Sequence, residues 1–82
     1  MKQVVYLKQA RKALASMPVN TARLIVSKIE QYASDAESLA NNVVRLQGRE
    51  GFRLRVGDWR VIFRDDGAVL AIQNVGPRGG VY

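Results

Sequence analysis

The sequence predicts an α+β fold in a single domain over residues 1–82: an N-terminal strand, a two-helix hairpin, and then an antiparallel β-meander. Three observations predict it. Apolar residues recur every three or four positions from Leu7 to Tyr32, which is the period of a helix. From Phe52 to Arg64 large apolar residues alternate with arginines, which is the period of a half-buried strand. Two short turn signals, Gly57-Asp58 and Asp66-Gly67, then divide the second half into strands that fold back on one another.

Gln3 to Tyr6 is short and β-prone, and the three-strand meander is expected to leave it at a sheet edge. Leu7, Ala10, Leu14 and Met17 mark the first helix, which Pro18 ends or hands on to the next. A second helix is expected from about Val19 to Ala33, with Ala22, Ile25, Val26, Ile29 and Tyr32 on one face. Arg23, Lys28, Glu30 and Gln31 point away from it. The apolar stripes are expected to cover the sheet, so that Leu14, Ile25, Val26 and Ile29 form a core with Leu54, Val61 and Phe63. Lys8, Arg11 and Lys12 line the outer side of the first helix and read as a solvated face, with auxiliary RNA contact as the alternative. Ser34 to Asn42 is polar and loop-like, with a helical turn suggested by the capping-box spacing of Ser34 and Glu37.

Val43 to Leu46 leads through Gly48 and Gly51 into the hairpin. A two-residue loop at Gly57-Asp58, with Gly first as a type II′ turn requires, sets Val56 against Trp59, Arg55 against Arg60, Leu54 against Val61, Arg53 against Ile62 and Phe52 against Phe63. Trp59 then falls on the core face. Asp66-Gly67 has type I′ composition, and pairing around it sets Phe63 against Leu70, Val61 against Ile72 and Arg60 against Gln73 in a strand from Ala68 to Val75. A Gly-Pro bend at Gly76-Pro77 carries Arg78 and Tyr82 towards the charged face.

That face collects Arg53, Arg55 and Arg60. Like charges opposed at ~5 Å repel by roughly 3 kcal/mol at an effective dielectric of ~20, and by less than ~1 kcal/mol when fully solvated. A solvated sheet surface is the plain explanation. Arginine rather than lysine, on a sheet rather than a tail, argues instead for planar, bidentate contacts to phosphate.

The chain as a whole is basic, with 13 Lys and Arg against 7 Asp and Glu, net charge +6 and a pI near 10.3. A polyanion is the partner this balance suggests. Cysteine and histidine are both absent, which excludes disulfides, thiol and imidazole catalysis and the usual transition-metal sites. Asp65 and Asp66 are neighbours that point to opposite faces of a strand, so they read as turn chemistry, not as a metal site. Gly48 and Gly51 precede no strand-to-helix switch and do not form a phosphate loop. The N-terminus has no apolar segment of the signal type and no run approaches a membrane span, so a soluble, cytoplasmic protein is expected.

Leu46-Gln-Gly48, the arginine strands Arg53-Leu-Arg-Val-Gly-Asp-Trp-Arg60-Val-Ile-Phe, and Gly76-Pro-Arg78-Gly-Gly-Val-Tyr82 together resemble the RelE/ParE superfamily of bacterial type II toxins. The resemblance follows nearly the whole chain in element order, and its specific motifs lie between Val43 and Tyr82. It favours the RelE-like branch and implies a metal-independent, ribosome-dependent mRNA endonuclease that inhibits translation, with no cofactor. In that branch the 2′-hydroxyl attacks the adjacent phosphate. The matching positions assign Arg60 and Arg78 as phosphate clamps, Arg53 and Arg55 as further cations, and Tyr82 to orientation, stacking or proton transfer. The chain departs from the pattern at Pro77, where the family often has His or Lys, and at Arg53 and Arg55, where lysines can stand. Arginine is a poor general base. The resemblance also implies a cognate antitoxin, acidic in its binding segment, whose complex with the toxin binds operator DNA. A ParE-like DNA gyrase poison without RNase activity is the alternative, and a catalytically dead binding module of the same fold is a third.

Overall fold

Alternating and helical periods resolve in the computed structural model, which describes residues 1–78, into five strands and two α-helices. Strand β1 spans Gln3–Tyr6, helix α1 Lys8–Ser16, helix α2 Val19–Ser34, and a 3₁₀ helix Ala36–Asn42. Strands β2 Val43–Arg45, β3 Phe52–Val56, β4 Trp59–Asp65 and β5 Val69–Pro77 follow. Pro18 occupies the N-cap of α2, where its missing N–H costs nothing.

The sheet order is β1-β5-β4-β3-β2. The meander therefore has four antiparallel strands, because Val43–Arg45 pairs with β3 as an edge strand, and β1 closes the opposite edge parallel to β5. Both helices cover one face of this sheet. Between them lie Ala10, Ile25, Ile29, Leu54, Val61, Phe63, Leu70 and Ile72, all essentially inaccessible to solvent. Phe63 is the centre of that layer, with the Tyr32 ring edge-on at 5.2 Å and the Phe52 ring stacked at 5.6 Å. Trp59 is half-buried against the same core, on the face the alternation assigned to it.

Some packing differs from the sequence-based expectation. Leu14 and Val26 are only half-buried: Leu14 packs at the border of the core, and both residues line a groove between the two helices with Met17, Val19 and Ala22. The polar segment after α2 is a 3₁₀ helix that starts from Asp35, and no Ser34 side-chain cap is made. That helix buries Leu39 in the core beside Ala33, which places the segment under the sheet instead of outside it.

The β3–β4 hairpin has the expected register at every pair from Phe52–Phe63 to Val56–Trp59. Gly57 has φ +58° and Asp58 does not have positive φ, the combination of a type II′ turn. Around Asp66-Gly67 the register differs. Asp66 Oδ1 accepts the N–H groups of Ala68 and Val69, and the loop widens so that Asp65 pairs with Leu70 and Phe63 with Ile72. A shift by two residues leaves Leu70 and Ile72 facing inwards. An irregularity between Ile62 and Phe63 then moves the pairing by one more, giving Ile62–Asn74, Val61–Val75 and Arg60–Gly76. Arg60 thus stands opposite Gly76 and not Gln73.

Candidate functional site

The sheet face without helices carries the arginines. Strand alternation turns Arg53 and Arg55 of β3 and Arg60, Ile62 and Arg64 of β4 outwards, opposite the core residues Leu54, Val61 and Phe63. Arg55 and Arg60 are register partners. Arg53 sits one diagonal away, between Val44 of β2 and Ile62 of β4. Arg60 faces Gly76 on its other side, and a residue without a side chain leaves room for the arginine stem to lie down on the sheet. Arg60 is accordingly half-buried, and its Nε is shielded from solvent without a hydrogen-bond partner among the described residues. Such a group is held in place while still able to donate. Arg55 is exposed.

Arg78 arrives at the same end. Its N–H donates to the Asp58 carbonyl at 2.8 Å, which pins the exit of β5 beside the hairpin turn. Arg55 on β3, Arg60 on β4 and Arg78 just past the end of β5 thus all lie at the hairpin-turn end of the sheet. None of the three makes an ion pair among the described residues. Tyr82, the remaining residue assigned from the sequence, lies outside the described residues.

The face is not uniformly charged. Ile62 is 1% exposed because Leu46 covers it, and the two form a separate small cluster beyond the main core. Alternation alone places Ile62 among the arginines; the signal for its burial is the apolar Leu46 in an otherwise polar loop. Leu46 donates its N–H to the Gly51 carbonyl at 3.0 Å, and this closes the loop of residues 46–51 over one end of the face. Gly51 has φ +118°, and a Cβ there would meet the Phe63 carbonyl oxygen at 3.0 Å. The loop brings Arg49 to Gln73, whose Oε1 accepts from the guanidinium at 3.4 Å, and Glu50 to 3.9 Å from Arg64. Arg45 lies over the Phe52 ring at 5.6 Å.

Away from this face, Lys2 donates to Asp65 at 2.6 Å and fastens the N-terminus to the end of β4. Burial and the nearby Glu30 carboxylate raise the Tyr6 hydroxyl above its ordinary range; burial and Asp65 do the same for Tyr32. Both phenols are therefore neutral at physiological pH and belong to the packing. Lys8, Arg11 and Lys12 are exposed on α1. Among the described residues no helix is long and apolar enough to cross a membrane.

A small sheet is thus backed by two helices on one side and bears a cationic cluster on the other. The chain belongs to the ParE toxin family of type II toxin-antitoxin systems, which matches residues 4–82. Among solved structures it is similar to the archaeal RelE–RelB complex from Pyrococcus horikoshii OT3, with 28% identity and a TM-score of 0.76 over 96% of this chain and 97% of that chain. The RelBE2 toxin–antitoxin complex from Mycobacterium tuberculosis shares the fold at 20% identity, TM-score 0.69, over 94% of this chain and 98% of that chain. The intact Escherichia coli RelBE complex does so at 16% identity, TM-score 0.70, over 94% and 96% of the two chains. No curated protein sequence matches. The RelE/ParE resemblance and the α+β architecture expected from the sequence are thus both found.

Proposed function

We propose that this toxin is a metal-independent endonuclease that cuts mRNA on the ribosome. The observation that carries the reading is the direct opposition of Arg55 and Arg60, with Arg53 on the diagonal and Arg78 fixed beside the turn. A cation pair that costs folding energy is best used where a phosphate gains a further negative charge. In the reaction the 2′-hydroxyl oxygen bonds to the adjacent phosphorus and gives its proton to water, while the bond from phosphorus to the 5′ oxygen breaks and that oxygen takes up a proton from Tyr82 or water. The products are a 2′,3′-cyclic phosphate and a 5′-hydroxyl. Arg60 and Arg78 hold the non-bridging oxygens, Arg53 and Arg55 offset the phosphorane charge, and Tyr82 supplies orientation, stacking or proton transfer.

Arginine gives up its proton too reluctantly to serve as base, so most of the rate enhancement comes from charge stabilisation and from the geometry of the bound message. Such a substrate places the toxin in the cytoplasm. A cognate antitoxin with an acidic binding segment completes the system by covering the basic face, and the complex of the two binds operator DNA. Solved complexes of RelE with RelB support an antitoxin partner.

Transcript 5′-end mapping minutes after induction without antitoxin tests the reading. Cuts in coding regions with codon periodicity are expected, and they disappear in the Arg60→Ala/Arg78→Ala double variant. The match to the ParE toxin family favours a second reading, a gyrase poison that cuts no RNA. Intact messages with growth arrest and a DNA-damage response would select it.

A further inference from the structure

At the end of the sheet away from the hairpin turn, between the loop of residues 46–51 and the Asp66 turn, lies a cleft of about 810 Å³, whose lining includes Arg45, Arg49, Glu50, Phe52, Arg64 and Asp66. Resting on the RNA-cleaving reading, we infer that this cleft holds a nucleotide of the same RNA strand that flanks the cut, with its base on the Arg45 guanidinium and its phosphates on Arg49 and Arg64.

Arg49 donates to Gln73 Oε1 at 3.4 Å, a long bond to a neutral acceptor that a phosphate outcompetes. Of the carboxylates in the cleft, Asp65 is taken by Lys2 at 2.6 Å, and Asp66 Oδ1 accepts the Ala68 and Val69 amides. Glu50 is 84% exposed and 3.9 Å from Arg64, an arrangement that solvent screens. Arg45 enters the cleft from the other side of the sheet, where its guanidinium lies over the Phe52 ring that is itself stacked on Phe63. An arginine fixed in this way offers its outer side to a base.

The cleft is also preformed. The Leu46–Ile62 cluster and the close backbone approach at Gly51 hold its wall in place, so binding need not order the loop. Its position continues the reactive end. Arg60 and Arg64 share one face of β4 and lie roughly 13 Å apart at the usual rise per residue, so a single strand clamped at Arg60 extends directly into the cleft. Basic grooves that track a backbone and present stacking platforms are the general device for single-stranded nucleic acid.

Fluorescence anisotropy with a short, labelled, 2′-O-methylated RNA, which cannot be cleaved, tests the assignment on the whole chain. The Arg49→Gln/Arg64→Gln double variant is expected to lose about tenfold in affinity, and its salt slope to shrink by about 1.4, or about 0.7 for each phosphate that is no longer neutralised. Arg45→Lys keeps the charge and removes the planar platform; it is expected to lose at least about fivefold with little change in slope. Arg45, Arg49 and Arg64 are all exposed, and circular dichroism checks that the variants fold. Unchanged affinity and slope in both variants, with Arg60→Gln still weakening binding, overturns the cleft assignment and leaves the RNA reading intact. Absence of RNA binding by the wild-type chain overturns the cleft assignment, while the transcript mapping decides the RNA reading separately, because the cleavage it detects takes place on the ribosome. Binding of an acidic peptide but not of RNA, abolished in the same double variant, overturns the inference in favour of a protein partner.

Discussion

Arg55 and Arg60 are paired directly across the β3–β4 hairpin, so that two like charges occupy adjacent positions on the open face of the sheet. The hairpin forms despite them because the opposite face of the same strands buries Leu54, Val56, Val61 and Phe63. Each such side chain contributes about 1.5–3 kcal/mol on burial, against a repulsion below ~1 kcal/mol for a solvated pair. Removing Arg55, the exposed member, should therefore help the fold and harm the activity. Arg55→Thr is expected to raise unfolding free energy by about 0.2–1 kcal/mol in urea titration, while growth arrest on induction weakens at least about tenfold.

Gly51 and Gly57 both have positive φ, yet only Gly51 has a backbone atom in the way of a Cβ, the Phe63 carbonyl oxygen at 3.0 Å. Gly57 faces open space. Gly51→Ala is accordingly expected to cost about 2–3 kcal/mol and Gly57→Ala about 1–2 kcal/mol. Chemical denaturation of the two variants side by side checks the order, and equal losses would show that the loop does not press on β4.

Lys2 and Asp65 join residues far apart in sequence, and the Asp65 side chain is only 13% exposed. Lys2→Met removes the partner and leaves a shielded carboxylate, which is expected to cost about 1–2 kcal/mol. Amide exchange should show the loss first in β1, whose other ties include the parallel ladder to β5, the Gln3 N–H bond to the Ala68 carbonyl and the Lys2 N–H bond to the Ala33 carbonyl.

Asp66 has its pKa lowered, first by the hydrogen bond from the Val69 amide and then by that from Ala68. A carboxyl with a depressed folded-state pKa contributes stability that is fully present above its unfolded value and disappears as pH falls through the folded one. The melting temperature is therefore expected to drop on the acid side, below the ordinary carboxylate range. Asp66→Asn, which still accepts both amides, should flatten that acid limb without changing the turn. Thermal melts across the acid range compare the two.

The parts of the fold legible from residues alone are those set by near neighbours. Alternation and Gly57-Asp58 predict every pair of the β3–β4 hairpin, and with it the positions of Arg53, Arg55 and Arg60. Helical spacing predicts α1 and α2, because the buried stripe recurs within each helix. The Asp66-Gly67 turn misleads, since Asp66 spends its side chain on two amides and lengthens the loop.

Local pattern thus determines which strands and helices form and which side of the hairpin is charged. Three features depend instead on pairings distant in sequence: the parallel seat of β1 beside β5, the irregularity that brings Gly76 opposite Arg60, and the folding of Leu46 over Ile62. Periodicity says which face a residue takes, but not which strand or loop will cover it. That choice belongs to the packing of the whole chain, because only there does burying Ile62 or Leu39 offset the entropy of fixing the loops that cover them.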